Sequence, residues 1–125
     1  MVGHLALTGF LYLLLTVARA PAVWGVGLRE DGSNPCEYIE PRISANLSNQ
    51  FEWPLFFHVV CLVLLGQGSA TAAQVGLAWL FIAGRVLHSG VQIVTTSVRW
   101  RGLVFNINFL AVLGMWCLLL VPELR

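Results

Sequence analysis

Polar side chains that could do chemistry recur along one face of an otherwise apolar stretch. Because each residue advances about 100° around an α-helix, positions three, four and seven apart share a face. Six polar residues fall within an arc of about 80°: Gln74, Arg85, His88, Gln92, Thr96 and Arg99. The rest of the circumference carries Leu, Ile and Val. This stripe predicts a helix that turns one polar face inward and the remainder toward lipid.

Arg85 is the residue of this stripe whose burial in a membrane costs the most free energy. In a helix ending near residue 97 it lies about 13 residues from the nearer end, or roughly 20 Å. A charge at that depth costs about 2.5–3.5 kcal/mol and is normally buried with a partner. Glu52 is the obvious partner, and Asn49 lies three residues before it on the same predicted helix face. Glu52 and Arg85 are therefore expected either to pair directly or to contact a polar ligand between them.

Simpler interpretations stay open for each of these residues. An Arg85–Glu52 pair could only fix helix packing, and His88 could be a hydrogen-bonded core histidine. Arg99 and Arg101, with Trp100 between them, have the sequence of interfacial anchors. The convergence of two polar helix faces with two further arginines favours a site. No Cys–His spacing fits zinc and no carboxylate pair fits acid–base exchange, so no metal is expected.

The composition identifies the elements that position these residues. The chain has 125 residues, of which 58% are hydrophobic and 10% charged. Soluble domains are about 25% charged, so an all-α membrane protein is predicted. Since a spanning helix needs about 20 apolar residues, four transmembrane helices are expected in a bundle, at 2–18, 46–66, 71–97 and 102–121, with a loop at 19–45. The net charge of +1 gives no indication of nucleic-acid binding.

The distribution of arginines predicts the orientation. With four spans, one side collects Arg19, Arg29, Arg42, Arg99 and Arg101, whereas Arg125 lies on the other. The positive-inside rule then places the long first loop in the cytoplasm and both termini outside. The first segment lacks a basic flank and a convincing cleavage site, so it is expected to be a retained helix. All seven basic residues are Arg, which suits a GC-rich bacterial genome, so the expected location is a bacterial inner membrane.

Two motifs resemble those of a known family. The run SNQFEWP from Ser48 to Pro54 and the run AWLFIAGRVLH from Ala78 to His88 are similar to those of the MAPEG superfamily, particularly its bacterial branch. The name denotes membrane-associated proteins in eicosanoid and glutathione metabolism. The resemblance implies a homotrimer of four-helix bundles with glutathione sites between subunits. It also implies that glutathione is bound or framed by Asn49, Glu52, Arg85, His88 and the neighbouring Gln92.

By the same resemblance, Arg99 or Arg101 would be catalytic and stabilise the glutathione thiolate against lipophilic electrophiles, which would be conjugated or reduced. The family's characterised members carry a tyrosine where this chain has Gln92, and they carry basic residues before the Asn-x-x-Glu motif that are missing here. These departures favour a second hypothesis. In it, the protein is a non-enzymatic binder of lipid or a lipophilic small molecule, or an accessory subunit of a larger membrane complex.

Overall fold

The computed structural model describes residues 1–121 and is all-helical there. The helices are α1 (Val2–Trp24), α2 (Glu40–Asn49), α3 (Pro54–Gln67), α4 (Ala72–Val94) and α5 (Val98–Leu120). With α2 and α3 taken together as Glu40–Gln67, four segments are long and apolar enough to cross a membrane. The predicted fold class, an all-α membrane protein with four transmembrane helices, is confirmed.

Helix α1 continues six residues past the predicted end at residue 18. The prediction takes Arg19-Ala-Pro21 as the stop, but Pro21 lies inside the last turns. A proline there removes one backbone donor without breaking the preceding turns. The helix ends instead at Gly25, which has the left-handed φ of 67° and donates its N–H to the Pro21 carbonyl. The loop is correspondingly shorter than the predicted 19–45.

The second span is interrupted where the sequence predicts a continuous helix. Helix α2 ends at Asn49 and α3 begins at Pro54, because Pro54 lacks the backbone N–H that would bond the Gln50 carbonyl in a continuous helix. Across the break the backbone bonds join residues three apart, as from Phe51 N–H to the Ser48 carbonyl at 3.0 Å. The continuous helix predicted at 46–66 is therefore not formed, although Asn49 and Glu52 still line one cavity.

Helices α4 and α5 meet at a short extended link. A capping box, in which Thr71 and Gln74 bond each other's backbone N–H groups, begins α4. The helix ends at Val94 rather than at 97 because the following Thr-Thr-Ser run has low helix propensity and Thr95 is extended. Helix α5 starts at Val98, four residues before the predicted 102, so the connection between α4 and α5 is only three residues long.

Two apolar clusters form the core. The larger joins α3, α4 and α5, and the smaller joins α1 and α2. Their buried members are, respectively, Phe57, Val60, Leu64, Phe81, Ala111, Val112 and Met115, and Leu11, Leu15, Ala18, Ile43 and Leu47. Polar residues are also buried in the bundle, on or next to α1, α2, α4 and α5. Hydrogen bonds between several of them define the candidate site.

Candidate functional site

Arg85 is the centre of a buried polar network. Its side chain is 1% exposed and reaches from α4 to the break between α2 and α3. Its Nε–H donates to Gln50 Oε1 at 3.2 Å, and Nη2 donates to the Asn49 carbonyl at 3.0 Å. The break supplies the second acceptor, because the carbonyls at a helix end have no partner within the helix. The interruption of the second span is thus what allows Arg85 to be buried.

Gln50 extends this network toward α2. Its Nε2 donates to Asn46 Oδ1 at 2.8 Å and to Ser89 Oγ at 3.2 Å. Ser89 in turn donates to Asn46 Oδ1 at 3.1 Å, and Asn46 Nδ2 donates to the Ser89 carbonyl at 3.1 Å. Each of these three side chains is buried. Donors and acceptors are matched throughout, as a buried network requires to be favourable.

The network also reaches α1 and α3 through two histidines. His4, which is 2% exposed, lies 3.0 Å from Gln50 Oε1 through its Nε2 atom. Its Nδ1 atom lies 3.0 Å from Nε2 of His58 on α3. The His4 ring also contacts the Phe57 and Phe81 rings, at centroid distances of 6.5 Å and 5.9 Å. A chain of side chains therefore runs from Arg85 to the α1–α3 surface.

On its other side Arg85 borders a small polar cavity of about 100 Å³. The cavity is lined by Asn49, Glu52, Trp53, Arg85, His88 and Phe105. Two buried atoms here, His88 Nδ1 and Trp53 Nε1, have no hydrogen-bond partner within residues 1–121. Arg85 Nη1 makes no hydrogen bond in this range either. Unpaired buried polar atoms are costly, so their grouping around one cavity indicates a ligand or ordered water.

A second cavity of about 240 Å³ adjoins the first, and Asn49 and His88 line both. Its other lining residues are Gln92, Val98, Arg101 and Gly102. Asn49 Nδ2 donates to Gln92 Oε1 at 3.1 Å, so Gln92 holds the asparagine in place. Arg101 is partly buried at the start of α5 and lies within electrostatic reach of His88. The two cavities together bring the cations Arg85 and Arg101 to one region.

The structure places most of the site residues predicted from the sequence around these two cavities. They are Asn49, Glu52, Arg85, His88, Gln92 and Arg101. The polar stripe faces inward at Gln74, Arg85, His88 and Gln92, all of which are buried. It does not extend to Thr96 and Arg99: both lie beyond the end of α4, neither is buried, and Arg99 lines neither cavity.

The predicted direct pairing of Glu52 with Arg85 is not formed. No ion pair joins the two residues in the part of the chain that the structure describes. Glu52 is exposed at the break between α2 and α3, although it lines the same cavity as Arg85 and lies within its electrostatic reach. The acceptors of Arg85 are instead an amide and a backbone carbonyl. Of the two arrangements considered from sequence, the direct pair is not formed, and a polar ligand shared by the carboxylate and the guanidinium stays a prediction.

Sequence reasoning missed five members of the network: His4, Asn46, Gln50, His58 and Ser89. Part of the signal was present. Asn46 and Gln50 are four residues apart, as are Arg85 and Ser89, so each pair shares a helix face. His4 is an ionisable residue inside a hydrophobic helix, which is by itself a reason to expect a function or a partner. No local pattern, however, shows that His4 and Gln50 meet across 46 positions of sequence.

Fold and site together define a class: a polytopic membrane protein with four spans and a buried polar site that opens into a small cavity. The chain belongs to the MAPEG family, whose model matches residues 1–121. The matched residues include all four spans. The resemblance predicted from two short motifs is therefore confirmed, and it extends over the whole described chain. Comparison with curated proteins and with solved structures found no match.

Proposed function

We propose that this protein binds glutathione or a related thiol at the two adjoining cavities and conjugates or reduces lipophilic electrophiles with it. The observation that carries the proposal is the cavity that groups the unpartnered His88 Nδ1 with Arg85 and Glu52. A peptide thiol offers both charges that such a site would bind. Its ammonium group fits the Glu52 carboxylate, and its carboxylates fit guanidinium donors through charge-assisted hydrogen bonds.

Arg101 is the better candidate for stabilising the thiolate. It lines the cavity shared with His88, whereas Arg99 lies outside it. A guanidinium beside a thiol favours the thiolate, which is the nucleophile. In conjugation its sulfur attacks an electrophilic carbon, a carbon–sulfur bond forms and the leaving group departs with its electron pair. The protein's role is to bind the tripeptide, hold the anion and exclude water.

A homotrimer is part of this proposal. The two cavities, at about 100 Å³ and about 240 Å³, together reach only the lower end of the roughly 300–1,000 Å³ of typical ligand pockets, so one subunit supplies close to the minimum volume for a ligand of this kind. A neighbouring copy would complete the site, as in the family's glutathione sites. The orientation proposed from the arginines, with the first loop in the cytoplasm of a bacterial cell and the termini outside, puts Asn49 and Arg101 near the cytoplasmic side, where glutathione is present.

Isothermal titration of the detergent-purified protein with glutathione tests this function. Glu52→Gln removes the proposed ammonium partner from an exposed position outside the Arg85 network, so the fold is expected to persist. Losing a hydrogen bond to a charged group weakens binding about ten- to a hundredfold. Glu37→Gln, which changes an exposed carboxylate of the loop, is the matched control and is expected to bind normally. No heat at millimolar glutathione from an intact trimer would refute the proposal.

One observation favours the second hypothesis, a non-enzymatic binder of lipids or an accessory subunit. Gln92 occupies the place of the family's tyrosine and is engaged by Asn49, so the hydroxyl group of that tyrosine is missing from the cavity. A binder without chemistry would copurify with a lipid or a partner protein and show no thiol transfer to a chlorinated aromatic acceptor. Turnover that Arg101→Ala abolishes would exclude this alternative.

A further inference from the structure

A separate groove lies between α1 and α3, at the far end of the chain of side chains that begins at Arg85. It has a volume of about 260 Å³. Its walls are apolar and largely exposed, formed by Leu5, Phe51 and Leu55, and polar residues lie between them. The complete lining is Met1, His4, Leu5, Thr8, Gln50, Phe51, Leu55 and His58. The groove shares none of these residues with the cavity around His88.

The hydrogen bonds fix which polar atoms this groove offers. Arg85 can only donate, so the Gln50 atom that it contacts must be the oxygen. Because that oxygen can only accept, His4 Nε2 must carry the proton in the 3.0 Å contact between them. A neutral His4 then has a bare Nδ1, so His58 Nε2 must be the donor to it. A neutral His58 is thereby left with an unprotonated Nδ1, which is an acceptor.

The other polar side chains of the groove have used their donors. The Thr8 hydroxyl donates to the His4 carbonyl at 3.0 Å, and Gln50 Nε2 donates to Asn46 and Ser89. His58 Nδ1 has no partner within residues 1–121, and Thr8 Oγ1 keeps lone pairs free. Among these side chains the groove therefore presents acceptors and no free donor. The amino group of Met1 also borders it.

We propose that this groove binds a membrane-dissolved alcohol or phenol, whose hydroxyl group donates to His58 Nδ1 while its apolar part packs between Leu5 and Leu55. The site is independent of the thiol proposed above. A lipophile with a hydroxyl group provides a donor for the His58 nitrogen that the contact with His4 leaves bare. An ether or ketone of the same shape has only acceptor atoms, and His58 Nδ1 is also an acceptor. No hydrogen bond can therefore form between them.

Nitrogen-15 NMR of the histidine rings, in the full-length protein reconstituted in lipid nanodiscs, tests the first step. The sequence has three histidines, so the spectrum is simple. His4 and His58 are expected as the tautomer protonated at Nε2. Finding His58 protonated at Nδ1 would overturn the proposal, because this nitrogen could then not accept the hydroxyl proton.

Two probes of nearly equal shape test the second step: 4-hexylphenol, which can donate, and 4-hexylanisole, which cannot. The phenol is expected to move the His58 Nδ1 resonance and to bind about tenfold more tightly than the anisole, which corresponds to one net hydrogen bond. The anisole oxygen can still accept from the Met1 amino group, so it controls for that contact. Equal effects of the two probes, or no effect of either, would overturn the proposal.

The matched variants are His58→Phe and Leu65→Ala. Thermal stabilisation by the two probes is expected to become equal in His58→Phe. In Leu65→Ala the preference for the phenol is expected to persist, because Leu65 is an exposed residue of the same helix that borders a different groove. A preference retained by His58→Phe would contradict the assignment. If His58→Phe does not fold, the tautomer and the probe titration of the unaltered protein decide by themselves.

Discussion

The two sides of Arg85 differ in how completely their polar atoms are paired. Toward α2, the closed side formed by Asn46, Gln50 and Ser89 has its side-chain amide and hydroxyl donors matched to acceptors. Toward α5, the open side formed by Trp53 and His88 has a buried unpartnered nitrogen on each residue and a cavity between them. Both sides contain buried polar groups, yet only the closed side pairs its side-chain donors within the protein.

This difference indicates that one part of the network stabilises the fold and that another part binds a ligand. A matched buried network contributes to a unique packing, because every alternative arrangement leaves a polar atom unpaired. An unmatched group costs free energy unless something outside the fold binds to it. We therefore interpret the closed side as the scaffold that fixes the guanidinium and the open side as the part that binds. Substitutions on the two sides should then affect different measurements.

The largest expected effect comes from Gln50→Leu on the closed side. This change leaves Nε of Arg85 and Nε2 of His4 without their shared acceptor, and leaves Asn46 and Ser89 without a donor. Several unpaired buried groups, one of them charged, should lower the free energy of unfolding by about 3–5 kcal/mol. Reversible unfolding in mixed detergent micelles measures this value.

His88→Leu is the matched change on the open side. It replaces a buried imidazole that has an unpartnered nitrogen with an apolar side chain of similar size, so stability should change by less than about 1 kcal/mol. Glutathione binding is expected to fall. Comparable losses of stability in Gln50→Leu and His88→Leu would show that the two sides do not differ.

Gly84→Ala has the next largest expected effect, and it tests an unpaired amide that lines neither cavity. A Cβ atom at Gly84 would lie 2.1 Å from Oδ1 of Asn108, a residue that is 0% exposed and therefore has little room to move. Overpacking should cost about 1–3 kcal/mol. Gly90, on the same helix, has nothing within 4 Å of the position that a Cβ atom would take, so Gly90→Ala should stabilise the helix by about 0.5–1 kcal/mol.

The double variant Gly84→Ala/Asn108→Ala identifies the cause. If the contact between the two side chains is responsible, Asn108→Ala should recover stability in the Gly84→Ala background and do so more than in the unaltered protein. Equal stabilities of Gly84→Ala and Gly90→Ala would mean that α5 adjusts freely. The unpaired Asn108 amide would then not be a feature of tight α4–α5 packing.

The features that follow from local periodicity were predictable from the sequence. Four apolar runs indicate the four spans, and the 100° rule puts Gln74, Arg85, His88 and Gln92 on one inward face. The stripe fails at Thr96 and Arg99, because low helix propensity ends α4 at Val94. Pro21 does not stop α1, since a proline in a last turn removes only one backbone donor.

The partners of Arg85 were not predictable, for a physical reason. A buried charge is expected to pair with an opposite charge. Glu52, however, lies in the helix break and is exposed, and the guanidinium instead donates to the Asn49 carbonyl and to the side-chain oxygen of Gln50. The meeting of His4 with Gln50 depends on how α1 is rotated against the second span. That rotation is set by the packing of the whole bundle, which cannot be read from a short sequence motif.

The smallest expected effect is at the solvent-exposed counterpart of the buried network, the ion pair that joins α1 to the first turn of α2. Arg19 Nε donates to Glu40 Oε1 at 2.7 Å, but the two side chains are 49% and 26% exposed. Water already solvates both charges, so Glu40→Gln should lower the free energy of unfolding by only about 0.2–1 kcal/mol. Added salt should shrink the difference further, since exposed charges are screened.

Glu37→Gln provides the baseline, because Glu37 is an exposed carboxylate without an ion pair within residues 1–121. A loss at Glu40 as large as that of Gln50→Leu would mean that the bundle depends on its surface charges rather than on the matched amides beneath them.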